Sequence, residues 1–293
     1  MGSPMLGIIG GTGLGEALGA LGAGQEHRID TPFGSTSGPI VTAELGGLPV
    51  ALLSRHGPGH ALNPSRVPYR ANIWALKRLG VTHILASGAV GSLREDLAPR
   101  QLVVPDQIID RTFRREGTFF DDLAVHVEFA APFCNALRSA LVKASTGLPT
   151  RVHQGGTYVC MEGPQFSTRA ESELHRSWGA SLIGMTAMPE AKLAREAEIC
   201  YALVALPTDY DCWRPHPASV DQAKLIEEIL GNVKVATQNA IELIKRAVPH
   251  VAALGDRPCP CQSALALGIW TDRNLVSAEV KRKLEPILGK YLG

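Results

Sequence analysis

Five short stretches gather residue types that could act on an anionic or heterocyclic ligand. In Gly10-Gly11-Thr12-Gly13 the glycines let backbone N–H groups converge on an anion, and the Thr12 hydroxyl adds a donor; a tight turn without a ligand is the alternative. In Ser54-Arg55-His56-Gly57-Pro58-Gly59-His60, Arg55 offers a planar fork suited to phosphate and His56 a second donor. Arg55 could equally pair with a carboxylate. His56 and His60 are four apart, but the intervening Gly-Pro-Gly excludes a helical metal pair. Ser87-Gly88-Ala89-Val90-Gly91-Ser92 is small enough to bring main-chain N–H groups against a ligand, or to serve packing alone.

The last two stretches carry rings and acids. In Met161 to Glu171, Thr168 and Glu171 form a capping box that opens a helix, and Phe166 just before it either joins the core or presents its face to a planar ligand. In Thr208-Asp209-Tyr210-Asp211-Cys212-Trp213 the two carboxylates are either solvated or, if buried, held by partners that offset a large desolvation cost. Buried acids could take hydrogen bonds from an amino-bearing heterocycle or bind a hard cation. A dinucleotide fingerprint read from Gly11 fails at Glu16, and no phosphate-loop Gly-Lys-Ser/Thr pattern occurs.

The elements that must position these stretches are short apolar runs alternating with amphipathic ones. Strands are expected at Leu6 to Ile9, Val50 to Leu53, His83 to Ala86, Leu102 to Val104, Thr157 to Met161, Ser181 to Met185 and Ala202 to Leu206. Helices are expected at Val67 to Leu79, Pro132 to Ala144, Arg169 to Trp178, Pro189 to Ala197 and Val220 to Ala247. Alternation of this kind predicts an α/β layered fold with a parallel or mixed sheet, whose ligands bind in the loops after the strands. Most of the unusual residues stand there. The Pro- and Gly-rich segment Gly255 to Cys261 reads as a linker to a C-terminal piece with helical spacing from Ser277 to Tyr291. So short a tail must dock on the main body or on a neighbouring subunit.

Lys and Arg total 29 against 28 for Asp and Glu in 293 residues, a net charge of +1 that argues against a nucleic-acid binder. Anion recognition must therefore be local. No signal peptide or membrane-spanning run is legible, so the chain reads as cytoplasmic. Six cysteines are too sparse for a disulfide scaffold. Cys134, Cys160, Cys200 and Cys212 read as small buried hydrophobes. Cys259 and Cys261 read first as two unconnected surface thiols, then as a redox-labile pair; a zinc site would need ligands from elsewhere.

Taken in order, these stretches resemble the 5'-methylthioadenosine phosphorylases, within the trimeric purine nucleoside phosphorylase superfamily. The similarity runs from about Leu6 to about Ala247 and is most specific in Met161 to Ser172, in Gly184-Met185-Thr186-Ala187-Met188-Pro189-Glu190 and in Thr208 to Trp213. It implies one α/β domain over residues 1–254 built on a twisted, mixed central sheet flanked by helices, with residues 255–293 as linker and helical tail. It further implies a homotrimer with sites near subunit interfaces. By position, phosphate would be held by Thr12, Arg55, His56, the Ala89 backbone and Thr186. Met185 would pack on the ribose, and the base would lie against Phe166 near Ser167. Asp209 would face N7 and Asp211 the 6-amino group, and His126 would approach the 5'-alkylthio group from the adjacent subunit.

The reaction so implied is phosphorolysis of methylthioadenosine to adenine and 5-methylthioribose 1-phosphate, with phosphate as co-substrate and no metal or cofactor. A carboxylate opposite a 6-oxo group would set two acceptors face to face, so Asp209 favours a 6-aminopurine over the alternative, a methylthioinosine or 6-oxopurine nucleoside. One departure stands out. Many family members carry Thr or Ser where this chain has Gly88, so Ser87 or a water must replace that hydroxyl, or the contact is lost.

Overall fold

The computed structural model describes residues 4–11, 24–215, 221–255 and 257–292. Thirteen strands are described: β1 (Met5–Gly10), β2 (Gln25–His27), β3 (Asp30–Thr31), β4 (Gly34–Ser35), β5 (Ile40–Leu45), β6 (Leu48–Ser54), β7 (Val81–Ser92), β8 (Leu102–Val104), β9 (Gln107–Arg111), β10 (Val152–Gln154), β11 (Thr157–Met161), β12 (Leu182–Gly184) and β13 (Cys200–Asp209). The helices are α1 (Tyr69–Arg78), α2 (Asn135–Ala144), α3 (Arg169–Ser177), α4 (Glu190–Glu196), α5 (Gln222–Ala252), α6 (Ala278–Lys283) and α7 (Glu285–Leu292).

Eleven of these strands form one mixed sheet in the order β10-β8-β13-β7-β1-β6-β5-β2, with β12, β11 and β9 branching from β7. β6, β1, β7 and β13 run parallel at its centre. Alternation along β13 shows how the sheet is covered on both faces. Cys200, Ala202, Val204 and Leu206 enter one apolar layer with α2 and α5. Tyr201, Leu203 and Ala205 enter the other with α1 and α4.

Strand β7 changes partners along its length. Up to Ala86 one of its edges pairs with β1, and at Gly91 and Ser92 it pairs antiparallel with β12. Its other edge follows β13 as far as Gly91. The stretch Ser87 to Ser92, expected as a loop, is therefore strand; its glycines obscure the strand pattern, and they leave room for close neighbours, Thr186 Oγ1 against Gly88 and the Asp211 and Ile183 side chains against Gly91. Between Ser87 and Val90 no strand of the described residues closes the β1 side.

The chain beyond α5 folds back over the second layer. Leu265, Val276, Leu284, Ile287, Leu288 and Leu292 are buried in it, and the Trp74 indole N–H on α1 donates to the Lys283 carbonyl at 3.0 Å. Gly268 to Trp270 runs beside Ala124 to His126, with a bridge between Val125 and Ile269. Cys259 and Cys261 are not separate surface thiols. Cys261 is buried, Cys259 is half-buried, and both meet Cys134 and Cys200 at the start of β13. No local pattern announces this meeting, because tertiary folding brings the pair together with cysteines dozens of positions or more away in the sequence.

Candidate active site

The open edge of β7 gathers three of the sequence stretches. A Cβ built on Gly11 would lie 3.4 Å from the Ser87 carbonyl oxygen and 3.6 Å from Arg55 Nη1. One built on Gly88 would lie 3.2 Å from Thr186 Oγ1. Gly11 after β1, Arg55 after β6, Ser87-Gly88 in β7 and Thr186 after β12 thus lie together. Ala89 is the single exposed residue in the run Val81 to Val90, so the strand surfaces at this point. Thr12 lies outside the described residues.

Arg55 forms the floor. Its side chain is fully buried, and its fork is held by Glu190 at the start of α4, Nε to Oε2 at 2.7 Å and Nη2 to Oε1 at 2.8 Å. Nη1 donates to the Ser87 carbonyl at 2.8 Å, and the Tyr201 hydroxyl donates to Glu190 at 2.8 Å. Three of the five guanidinium N–H groups are therefore committed to protein. The expectation of a fork turned toward phosphate is corrected to this extent: the fork faces Glu190, because a cation so deeply buried needs a fixed counter-charge. Burial alone would lower the guanidinium pKa, but the charge and hydrogen bonds of Glu190 outweigh it and raise it.

His56 is neutral at pH 7. Burial first, then the neighbouring Arg55 charge, lowers its pKa from 6.5 to about 4. Its Nδ1 lies 2.7 Å from the Leu62 carbonyl oxygen, which accepts a hydrogen bond from a proton on that nitrogen and so leaves Nε2 as the acceptor of the neutral ring. The His60 ring stacks on it at 4.2 Å.

A second network holds the Met185-Thr186 turn. Arg115 Nη1 donates to the carbonyls of Met185 and Met188, each at 2.6 Å, while its Nε meets Glu162 at 3.1 Å. Glu162 also accepts from the Ser65 hydroxyl and from the N–H groups of Phe113 and Arg114. Burial would raise its pKa, but those hydrogen bonds and the Arg115 charge hold it down at about 2. Sequence reasoning assigned no role to Glu190, Glu162, Arg115 or Tyr201. The two acids stood inside stretches already singled out, and an acid flanked by Met, Gly and Pro was the available signal.

Asp209 ends β13 and Asp211 follows it in a left-handed conformation, φ 49°. Both are half-buried and both are held. Asp209 accepts from the Thr208 hydroxyl at 2.8 Å and from the Asp211 N–H at 2.9 Å. Asp211 accepts from the Ser172 hydroxyl on α3 at 2.5 Å. The acids are thus partnered, but they are neither fully solvated nor fully buried. The capping box forms as expected, with Glu171 N–H on the Thr168 hydroxyl and the Glu171 carboxylate on the Thr168 N–H. The Ser167 carbonyl accepts from the Cys212 thiol at 3.2 Å, which ties that turn to the acid loop.

Phe166 is 83% exposed, so it is not a core residue of this chain. His126 is exposed as well, and is placed by the Gly268 carbonyl and by the Trp270 ring at 4.5 Å rather than by the residues around Arg55.

A mixed α/β sheet here sets a buried arginine–glutamate pair, a Thr hydroxyl and a bare strand edge beside paired aspartates, a set of groups chemically able to meet an anion and a nitrogen heterocycle. Residues 5–249 match the phosphorylase superfamily, and the chain belongs to that superfamily. Within it the chain groups with S-methyl-5'-thioadenosine phosphorylases. The one from Geobacter sulfurreducens is 48% identical over 293 residues, covering 98% of this chain and 99% of its own. Among solved structures, a methylthioadenosine phosphorylase from an Antarctic soil metagenomic library superposes with a TM-score of 0.87 at 46% identity, covering 98% of this chain and all of that one. A variant of the adenosine/methylthioadenosine phosphorylase from Schistosoma mansoni, in complex with methylthioadenosine, gives 0.77 at 33% identity, with 98% of each chain covered.

Proposed function

We propose that this protein cleaves the N-glycosidic bond of 5'-methylthioadenosine with phosphate, releasing adenine and 5-methylthio-α-D-ribose 1-phosphate, in methionine and purine salvage. The observation that carries this reading is the meeting of Gly11, Arg55, Gly88 and Thr186 at the open edge of β7, one strand from Asp209 and Asp211. Substrate names of relatives that span nearly the whole chain point the same way.

Breaking the bond develops positive charge on the ribose and negative charge on the purine, and the site must stabilise both. Phosphate sits over Arg55, with Thr12, the Thr186 hydroxyl and the Ala89 N–H as donors, and attacks C1' with inversion. Neutral His56 accepts a hydrogen bond from a protonated phosphate oxygen through Nε2. Thr186 supplies the hydroxyl next to Gly88 that the glycine itself lacks. Met185 packs on the ribose through a turn that Arg115 fixes. Asp209 donates or shares a proton at N7 as the base departs, and Asp211, oriented by Ser172, accepts from the 6-amino group. Phe166 and Ser167 border the base. No electrons are exchanged in this substitution, so the chemistry calls for no redox cofactor.

The exposed Phe166 and His126 gain a role in a homotrimer, where His126 reaches the 5'-alkylthio group of the adjacent subunit. Residues 1–254 then form the phosphorylase domain, and residues 255–293 a linker and helical tail docked on it. The partners are small molecules rather than nucleic acid, and no helix of the described residues is long and apolar enough to cross a membrane, in keeping with a cytoplasmic enzyme.

Adenine release from methylthioadenosine is expected with phosphate and not without it; equal release in both cases sinks the proposal. Rates on methylthioinosine and inosine should be far lower. Asp209→Asn should cut kcat on the 6-aminopurine substrate by ~10²-fold or more, while activity on 6-oxopurines falls much less. An equal loss on both removes the assignment. Light scattering tests the trimer.

A further inference from the structure

Four cysteines from three separate parts of the sequence converge at the end of the sheet opposite the acids. Cys134 is the N-cap of α2, Cys200 opens β13, and Cys259 and Cys261 flank Pro260 at the start of a 3₁₀ turn, Pro260–Ser263. All four Sγ atoms lie within 4.8 Å of one another, with Cys134 and Cys259 3.7 Å apart. Four thiolates arranged tetrahedrally at ~2.3 Å around one ion are separated by roughly 3.8 Å along each edge. A disulfide instead needs its two sulfurs at ~2.05 Å. No two of the four sulfurs are bonded to each other, and each is within reach of the other three, so the geometry is that of one group.

The surroundings favour a ligand over bare thiols. Cys134, Cys200 and Cys261 are buried in the apolar layer with α2 and α5, and Cys259 packs against it. Thiols are weak partners for one another, and four in such a place are poorly satisfied. A soft divalent ion with no geometric preference of its own satisfies all four at once. The N-terminus of α2, which Cys134 caps, adds a favourable partial positive charge beside the resulting anion.

We propose that Cys134, Cys200, Cys259 and Cys261 form a structural tetrathiolate site for a zinc-class divalent cation. On binding, four S–H bonds are lost and four metal–sulfur bonds form; the four protons go to solvent and the site carries a charge of 2−. With all four positions taken by protein there is none for a substrate, so the role is structural. Cys200 and Asp209 stand at opposite ends of β13, roughly 30 Å apart along the strand. The ion clamps the chain that leaves α5 to α2 and β13. From that clamp the chain runs on to Leu265, to Gly268–Trp270 beside His126 and to the terminal helices.

The test is metal analysis and intact mass on the full chain, purified under reducing conditions without chelator. About one zinc per chain is expected, with four sulfurs at ~2.3 Å by X-ray absorption and release by a mercurial reagent. Replacement by cobalt should give thiolate-to-cobalt charge-transfer bands. Metal-free protein with six titratable thiols overturns the proposal. So does metal-free protein lighter by 2 or 4 mass units, which marks one or two disulfides. Joint Cys259→Ser and Cys261→Ser substitution should abolish stoichiometric zinc and lower Tm, with kcat/KM at 25 °C within about two-fold of the parent; full zinc retention in that variant also overturns it. Should that variant fail to fold, the metal content of the unaltered chain still decides.

Discussion

Arg55 and Glu190 are each of little use to the site without the other. The guanidinium is fully buried and receives two hydrogen-bonded carboxylate contacts, 2.7 and 2.8 Å long. Removing the negative charge while keeping the shape, by Glu190→Gln, leaves a buried cation without its counter-ion, a change that costs about 3–5 kcal/mol in comparable sites. Urea unfolding of the variant should show that loss, and the KM for phosphate should rise as Arg55 turns or loses order. A loss under about 1 kcal/mol would mean that Arg55 finds another partner. Arg55 stood out in the sequence from its setting between a strand and a Gly-Pro-Gly turn. Glu190 was not, because nothing local tells an acid at a helix start that caps the dipole from one that pairs with an arginine 135 positions earlier. The same holds for Arg115 and Glu162, whose partnership exists only once the turns after β9 and β11 are side by side.

Among the elements, α3 links local sequence to the acids most directly. Its N-terminus is closed by the reciprocal Thr168–Glu171 box, and one turn later Ser172 donates to Asp211. Thr168→Ala removes the cap and should cost ~1 kcal/mol in stability. It should also raise the KM for the nucleoside a few-fold, because Ser172 holds Asp211 only while the first turn is formed. Unfolding and steady-state kinetics on one preparation check both; lost stability with an unchanged KM would show that Ser172 is held by the rest of α3. This box was legible because its partners are three residues apart. So were the central strands β1, β6, β8, β11 and β13, whose apolar runs are buried on both faces. β9 (Gln107–Arg111) was not, since it pairs only with β11 and carries polar residues at its ends. Nor was β5, next to the sheet edge, whose side chains are mostly half-exposed and break the apolar pattern. Helix α5 was expected to end at Ala247 and continues to Ala252, with Pro249 in its last turns.

For the molecule as a whole, buried charges set how stability depends on pH, and three groups pull in different directions. His56, lowered to about 4 in the fold, contributes stability above its unfolded value of 6.5 that is lost as pH falls through 4. Glu162, held at about 2, contributes stability above its unfolded value of 4.5 that is lost as pH falls toward 2. Glu196 works the other way. Burial on α4 raises its pKa to about 7, against the opposing hydrogen bond from the Phe119 N–H at 2.8 Å. Its stabilising share is complete below 4.5 and disappears as pH rises through 7. Between about pH 4.5 and 6.5 His56 and Glu196 therefore offset each other, and below 4.5 Glu162 steepens the acid limb. Glu196→Gln separates these effects, since a neutral amide can keep the bond to Phe119 without burying charge. Relative to the parent the variant should gain up to roughly 3 kcal/mol at pH 8 and little at pH 5. Chemical denaturation at both pH values measures the difference. Equal effects at pH 5 and pH 8 would remove Glu196 from the account and assign the alkaline slope to other groups.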